Sequence, residues 1–285
     1  MRPHALVCLV TLAGTFTLTA HAQQAVPQSA QELVRDVIYN ELHDREHDSH
    51  WEYRSEAVTT AQRVVREQIE TDEGPIFRVL ERGGCSLSAD QQRHEEARLD
   101  AYVNSPGQIE RVEHDHQEDE ERLATVMRML PEAFLFEYDG AATGDAVRIA
   151  FRPDPAFVPE GYEARIVHAL AGTLTVSQRL KRMIDMDGRL MERVDFGYGI
   201  LGHVEKNGTF EIHRVQVSAE HWKTSLVAVH IQGKVLLFKN VSKEQRETRT
   251  DFRSVPRNIS LEQAKEMLDR QPEASLPVEA RLAGR

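Results

Sequence analysis

Cysteine is nearly missing from this chain of 285 residues, which holds two, Cys8 and Cys85. Cys8 lies in an N-terminal apolar stretch that reads as a cleaved segment, leaving Cys85 alone in the mature chain. A single thiol forms no internal disulfide, so the fold must stand on its hydrophobic core. Cys8 also follows Val7 rather than a small residue, and its apolar run is short, which argues against lipidation there. An excess of positive charge is missing as well. The 35 Lys and Arg stand against 46 Asp and Glu, a formal net charge of −11, and that sign disfavours nucleic acid and anionic lipid surfaces as partners. Beyond the N-terminus no apolar run approaches the roughly 20 residues of a transmembrane helix. Catalytic signatures are missing too: the chain has no G-x-S-x-G elbow and no H-E-x-x-H. Gly197, Gly199 and Gly202 share the spacing of a dinucleotide fingerprint. They lie inside a strand pattern and not before a helix, so that reading is rejected.

What is present begins with a leader. Met1-Arg2-Pro3-His4 is a short basic start, residues 5–19 are apolar, and Ala20-His21-Ala22 has the small-x-small form of a cleavage site. Residues 1–22 are read as a secretory signal peptide with Gln23 as the first mature residue. The run is too short for a membrane anchor. A soluble protein exported to a bacterial periplasm is expected, with one domain over residues 23–258. A helical insert spans 88–130, and a short helix and a Pro/Ala/Glu-rich tail occupy 259–285.

Ser29, with Glu32 three residues on, is a capping-box start, and Leu33, Val37, Ile38 and Leu42 then fall at helical spacing to about Asp48. Residues 50–60, 63–70 and 76–82 alternate like strands, the last two joined by a loop containing Gly74 and Pro75. Gly83-Gly84-Cys85 ends this meander. The glycines give Cys85 a flexible, exposable position, although a lone cysteine ordinarily packs as a small buried apolar residue. Residues 88–128 then read as two amphipathic helices broken at Ser105-Pro106-Gly107, suited to covering a sheet. Residues 134–138 and 146–151 are strand-like, and 153–159 form a loop. From Gly172 to Val255 the chain reads as one long meander. Asp187-Gly188, Asn207-Gly208 and Gln232-Gly233 are its expected hairpin turns, and the segments between them are long strands. Ser260 starts a last helix.

The expected fold class is α+β: a strongly curved antiparallel sheet, an unclosed half-barrel, covered by helices. The strand at 170–176, the pairing of 189–192 with 194–199, and the return strand at 233–238 resemble the outer-membrane lipoprotein carrier superfamily. The resemblance is one of topology over residues 29–255. It implies a curled, unclosed barrel plugged by helices and, by analogy, a hydrophobic cargo such as a lipid, an acyl chain or a lipidated protein.

Chemistry-bearing clusters are few. His43 and His47 are i,i+4 on a helix, with Asp44 and Asp48 on an adjacent face and His50 beyond the helix end. A zinc site would need that third ligand and a supporting shell, so a solvated helix end is preferred. His114 and His116 are i,i+2 and point apart, in a charge run through Glu121 typical of a solvated face. The remainder is apolar. Residues 226–231 are apolar on nearly both faces, as a strand covered on both sides would be. Phe136, Phe196, Tyr198, Trp222 and Phe238 are the candidate ligand-binding residues, with Trp222 marking a rim within 218–224. No metal, cofactor or catalytic residue is expected. The leading reading is a carrier or binder of a hydrophobic ligand. A protein-interaction or sensor domain on the same fold comes second, and a hydrolase or metal enzyme using the His43/His47 region third.

Overall fold

The computed structural model describes residues 28–46, 49–140, 142–196, 202–235 and 243–270. The expected signal peptide lies outside them, as do Tyr198, Phe238 and the C-terminal tail. Among the described residues no helix is long and apolar enough to cross a membrane.

The first half of the chain follows its sequence signals. Helix α1 (Ala30–Glu46) starts where Ser29 and Glu32 complete a capping box: the Glu32 N–H donates to Ser29 Oγ at 3.2 Å and the Ser29 N–H donates to Glu32 Oε2 at 2.9 Å. Strands β1 (Trp51–Thr59), β2 (Arg63–Ile69) and β3 (Ile76–Arg82) form the expected antiparallel meander. The two-residue β4 (Cys85–Ser86) follows the turn at Gly83 and Gly84, both with positive φ, and leaves the Cys85 thiol exposed rather than packed. Helix α2 (Ala89–Val103) has its own capping box at Ser88 and Gln91, and α3 (Pro106–Ala133) opens on Pro106, whose missing N–H costs nothing in a first turn. Strands β5 (Phe134–Tyr138) and β6 (Ala146–Pro153) come next. Helix α4 (Gly161–His168), where a loop running straight into a strand was expected, is followed by β7 (Leu170–Ser177).

The long meander is a set of shorter strands than its dipeptide punctuation suggested. They are β8 (Arg182–Leu190), β9 (Val194–Phe196), β10 (Gly202–Val204), β11 (Thr209–Gln216), β12 (Trp222–Ile231), β13 (Gly233–Val235) and β14 (Lys243–Ser254), before the closing helix α5 (Leu261–Asp269). None of the three expected hairpin turns joins a paired pair of strands. Asp187-Gly188 lies inside β8, where Gly188 stands opposite Gly172 of β7 and Phe210 of β11. A Cβ on Gly172 would sit 1.9 Å from the Asp187 carbonyl oxygen, and one on Gly188 would sit 2.3 Å from the Phe210 ring. The glycines serve close approach, not a turn. Asn207 does take a turn conformation (φ 69°), but the strands on either side of it pair elsewhere, and its N–H donates to the Leu190 carbonyl at 2.9 Å. Gly233 carries the chain from β12 in the large sheet to β13 in a small one, passing close to the backbone of His203. The real hairpins close through residues 178–181, with Lys181 at φ 53°, and through 217–221. β9 pairs with β10 and not with the end of β8.

The large sheet is antiparallel, curved and unclosed, with eleven strands in the order β4-β3-β2-β1-β14-β12-β11-β8-β7-β6-β5. Its open edges are occupied by helix side chains. On β5, Gln31 of α1 mimics a neighbouring strand: its amide nitrogen donates to the Phe134 carbonyl and its oxygen accepts from the Phe136 N–H, both at 3.3 Å. On β3, Glu95 of α2 accepts from the Val79 N–H at 2.8 Å and Arg98 donates to the Phe77 carbonyl at 2.6 Å. Edge groups satisfied in this way are closed to further strand addition.

Two cores hold the helices. Leu33, Val34 and Val37 of α1 pack on Val147, Ile149, Leu174 and Val176. α5 and α2 bring Leu261, Leu268 and Leu99 to Ile69, Ile76 and Val255. Cross-strand register carries the face of Ile149 through Leu174, Met186, Ile212 and Val227 to Ala57. Ile69 is opposite Glu52, on the other face of β1. Helices therefore cover opposite faces at the two ends of the sheet. The 28-residue α3 reaches both cores, with Ile109 and Val112 in one and Met127 and Leu130 in the other.

Candidate functional site

A cleft of about 1010 Å³ opens on the middle of the sheet, at the upper end of the range typical of small-ligand sites. From β8 it takes Asp185, Asp187 and Arg189, and from β11 Thr209, Glu211 and His213. β12 adds Ala228 and His230, β14 adds Glu244 and Arg246, and the end of β1 contributes Val58. Strand alternation places these side chains on the face opposite α1. The register confirms it: Asp185 is opposite His213, Asp187 opposite Glu211, and Ala228 joins Glu211 to Arg246.

The centre of this face is one linked network. His213 Nδ1 meets Asp185 Oδ1, and His213 Nε2 lies 2.7 Å from Glu211 Oε1. Arg246 Nη1 donates to the other Glu211 oxygen at 3.3 Å, so the network spans β8, β11 and β14. Thr173 Oγ1 donates to Asp187. Hydrogen bonds to Asp185 and then Glu211 hold the His213 imidazolium, raising its pKa above the ordinary histidine value, and the His213 bond holds Glu211 below the usual carboxylate range. A ring with a carboxylate on each nitrogen keeps no lone pair for activating a nucleophile. It also holds those carboxylates on opposite sides, away from any single cation. Among the described residues no three His, Cys, Asp or Glu side chains converge as a metal site.

β11 is anchored beneath the cleft by a buried ion pair. Glu41 of α1, 2 % exposed, pairs with Arg214, and also accepts the Met183 N–H at 3.1 Å. Arg214 donates to the Trp222 carbonyl at 2.7 Å, and burial pulls its pKa down to about 10.

The residues singled out in the sequence fall elsewhere. Phe136 packs 6.2 Å from Phe134 and 6.4 Å from Phe151, ring centre to ring centre, beside the α1 core. Trp222 opens β12 next to the 217–221 hairpin, and neither it nor Phe136 lines the cleft. Phe196 pairs through its backbone with Gly202; its side chain, Tyr198 and Phe238 lie outside the described residues. His43 stacks on Tyr39 at 3.8 Å, His50 faces Asp72 at 3.3 Å, and His47 and Asp48 lie outside the described residues. His114 pairs with Glu118 at 3.3 Å on the exposed face of α3. β12 is not covered on both sides, since His230 is exposed and Ala228 and Val229 are half-buried. The signal for the cleft was the period-two alternation of Asp185, Asp187 and Arg189, and of Glu211 and His213, which reads as an ordinary solvated strand face until the register brings the two together.

Comparison with models of known protein families, with curated proteins and with solved structures finds no match.

Proposed function

We propose that this chain is an exported, non-catalytic binding protein that takes a small amphipathic ligand in the cleft of its curved sheet. The observation that carries the proposal is the cleft itself, about 1010 Å³ on a face no helix of the α1 core covers, with charged groups held in a fixed network. Ala171 and Met191 offer apolar contact beside Arg189 and Thr209 at one end, and Val58 and Ala228 offer it in the row of Glu211 and Arg246. An acyl or lipid-like cargo, the class implied by the likeness to lipoprotein carriers, would set its headgroup against Arg189 and Thr209 and its apolar part against these four side chains. The interior under α1 is filled by aliphatic side chains, which favours the cleft over the space under the helix as the binding place.

The test is native mass spectrometry of the mature protein purified from a periplasm, with organic extraction of bound material. An amphiphile at near-unit stoichiometry, lost on replacing Arg189 with Glu, supports the proposal. Cargo retained by Arg189→Glu but released when α1 packing is loosened by Val37→Ala would move the binding place to the helix-covered core and defeat it. A protein-interaction role is the second reading. It is favoured by α3, which reaches from one core to the other with much of its length exposed, Leu123 included. It predicts an empty protein and a partner that cross-links to α3.

A further inference from the structure

The binding face has a component whose charge is set by a single proton. We infer that His213 determines which ligand charge the cleft accepts: an anionic amphiphile binds while the ring is an imidazolium, and loses affinity when the ring gives up its proton. The inference rests on the cleft being the binding place proposed above.

The geometry requires a proton on each ring nitrogen. Nδ1 faces Asp185 and Nε2 faces Glu211, and two carboxylates can both accept only if the ring donates from both sides. Removing one proton leaves a nitrogen lone pair against a carboxylate oxygen and exposes that negative charge to the cleft. Across the strands His213 is flanked by Asp185 of β8 and Leu226 of β12, with Thr248 of β14 and Glu56 of β1 further along the same row. Asp187, Glu211 and Arg246 stand in the next row of the face, and Arg189, His230 and Glu244 lie at its far end, level with Thr209. With His213 protonated, the cationic side chains Arg189, His213 and Arg246 oppose four carboxylates. Arg246 is already engaged by Glu211, whereas the Arg189 guanidinium makes no hydrogen bond or ion pair among the described residues. Arg189 is thus the cation left for a ligand anion, and His213 sets how much negative charge surrounds it. Asp185, Glu211 and His213 are each about two-fifths exposed, so protons exchange with solvent without unfolding.

The sign is fixed by the contacts. Their bonds are complete at acidic pH and are lost as pH rises through the raised pKa of His213, at which point the cleft gains one net negative charge. Arg189 is level with Thr209, four residues from His213 on β11, which is about 13 Å at strand spacing, and one unit charge at that distance and intermediate dielectric changes anion affinity by about threefold.

The experiment compares two fluorescent probes on the full mature chain between about pH 5 and pH 9: 1-anilinonaphthalene-8-sulfonate, anionic throughout, and N-phenyl-1-naphthylamine, its uncharged parent. The sulfonate is expected to weaken about threefold across the titration while the parent changes less than about 1.5-fold. His213→Gln should hold the sulfonate at the weaker value at every pH, and Asp185→Asn should move the midpoint to lower pH. Binding of both probes with the same pH profile, or a pH dependence that survives in His213→Gln, overturns the role of His213 and leaves the cleft standing as a binding site. Binding of neither probe at any pH overturns the cleft reading, and this inference with it.

Discussion

On β8, Met186 and Gly188 alternate toward the face of the α1 core and the Phe151 ring, while Asp185 and Asp187, one residue away in each case, alternate to the opposite face; all four border the cleft. β11 repeats the division, with Phe210 and Ile212 on the first face and Glu211 and His213 on the second. The same backbone therefore carries a packed wall and a solvated one. On the first face, contacts are so close that even a methyl group is excluded at Gly188. On the second, charged side chains two-fifths exposed hold one another by hydrogen bonds. On β8 and β11 the close packing therefore lies on the first face and the charged network on the second.

That contrast can be broken from either side. Removing Glu41 leaves Arg214 buried and unpaired, so Glu41→Ala should cost about 4 kcal/mol in denaturant unfolding. Glu41→Leu with Arg214→Met should recover most of that loss. Ile149 is fully buried in the α1 core, and Ile149→Ala should cost about 3 kcal/mol through lost burial and the cavity left behind. Its cleft-face neighbour Arg148 is exposed, and Arg148→Ala should stay within about 0.5 kcal/mol by the same measurement. Gly188→Ala should cost about 2 kcal/mol, because the new methyl displaces the Phe210 ring.

Acid should loosen an edge before it loosens either face. Burial pushes the Glu95 carboxyl up, but its bonds to Arg98 and to the Val79 N–H outweigh burial and hold its pKa below the usual value. Its contribution is present above the unfolded-state pKa and is lost as pH falls through the lowered one. The protection factor of the Val79 amide, taken against the intrinsic exchange rate at each pH, should therefore fall on acidification before that of Ile149. The smallest effect belongs to the cleft: Asp187→Ala should change stability by less than about 0.5 kcal/mol while altering ligand binding.

How far the sequence spoke depended on how local each determinant is. Ser29 with Glu32 and the Ser105-Pro106-Gly107 break act within one helical turn, and α1 and α3 begin where those signals stand. The curved antiparallel sheet with helices was legible from alternation and from the order of elements. Asp187-Gly188 was misleading because a glycine needed for close approach looks the same in sequence as one needed for a turn. What decides between them is Gly172 and Phe210, brought opposite only by register. The cleft was hidden for the same reason. Asp185 and His213 are 28 residues apart, and only pairing of β8 with β11 turns two solvated strand faces into one network. Aromatic residues drew attention as ligand contacts, yet Phe136 does the ordinary work of a core ring.

The central claim is that ligand binds on the charged face and leaves the α1 core closed. Backbone and methyl NMR of residues 23–285, titrated with 1-anilinonaphthalene-8-sulfonate at acidic pH, tests it directly. The account predicts shifts concentrated at Asp187, Arg189, Glu211, His213 and Arg246, with Leu174, Val176 and the α1 methyls of Leu33 and Val37 unmoved. Shifts centred on Leu33, Val37, Leu174 and Val176, with the cleft residues silent, would contradict it and place the ligand beneath the helix.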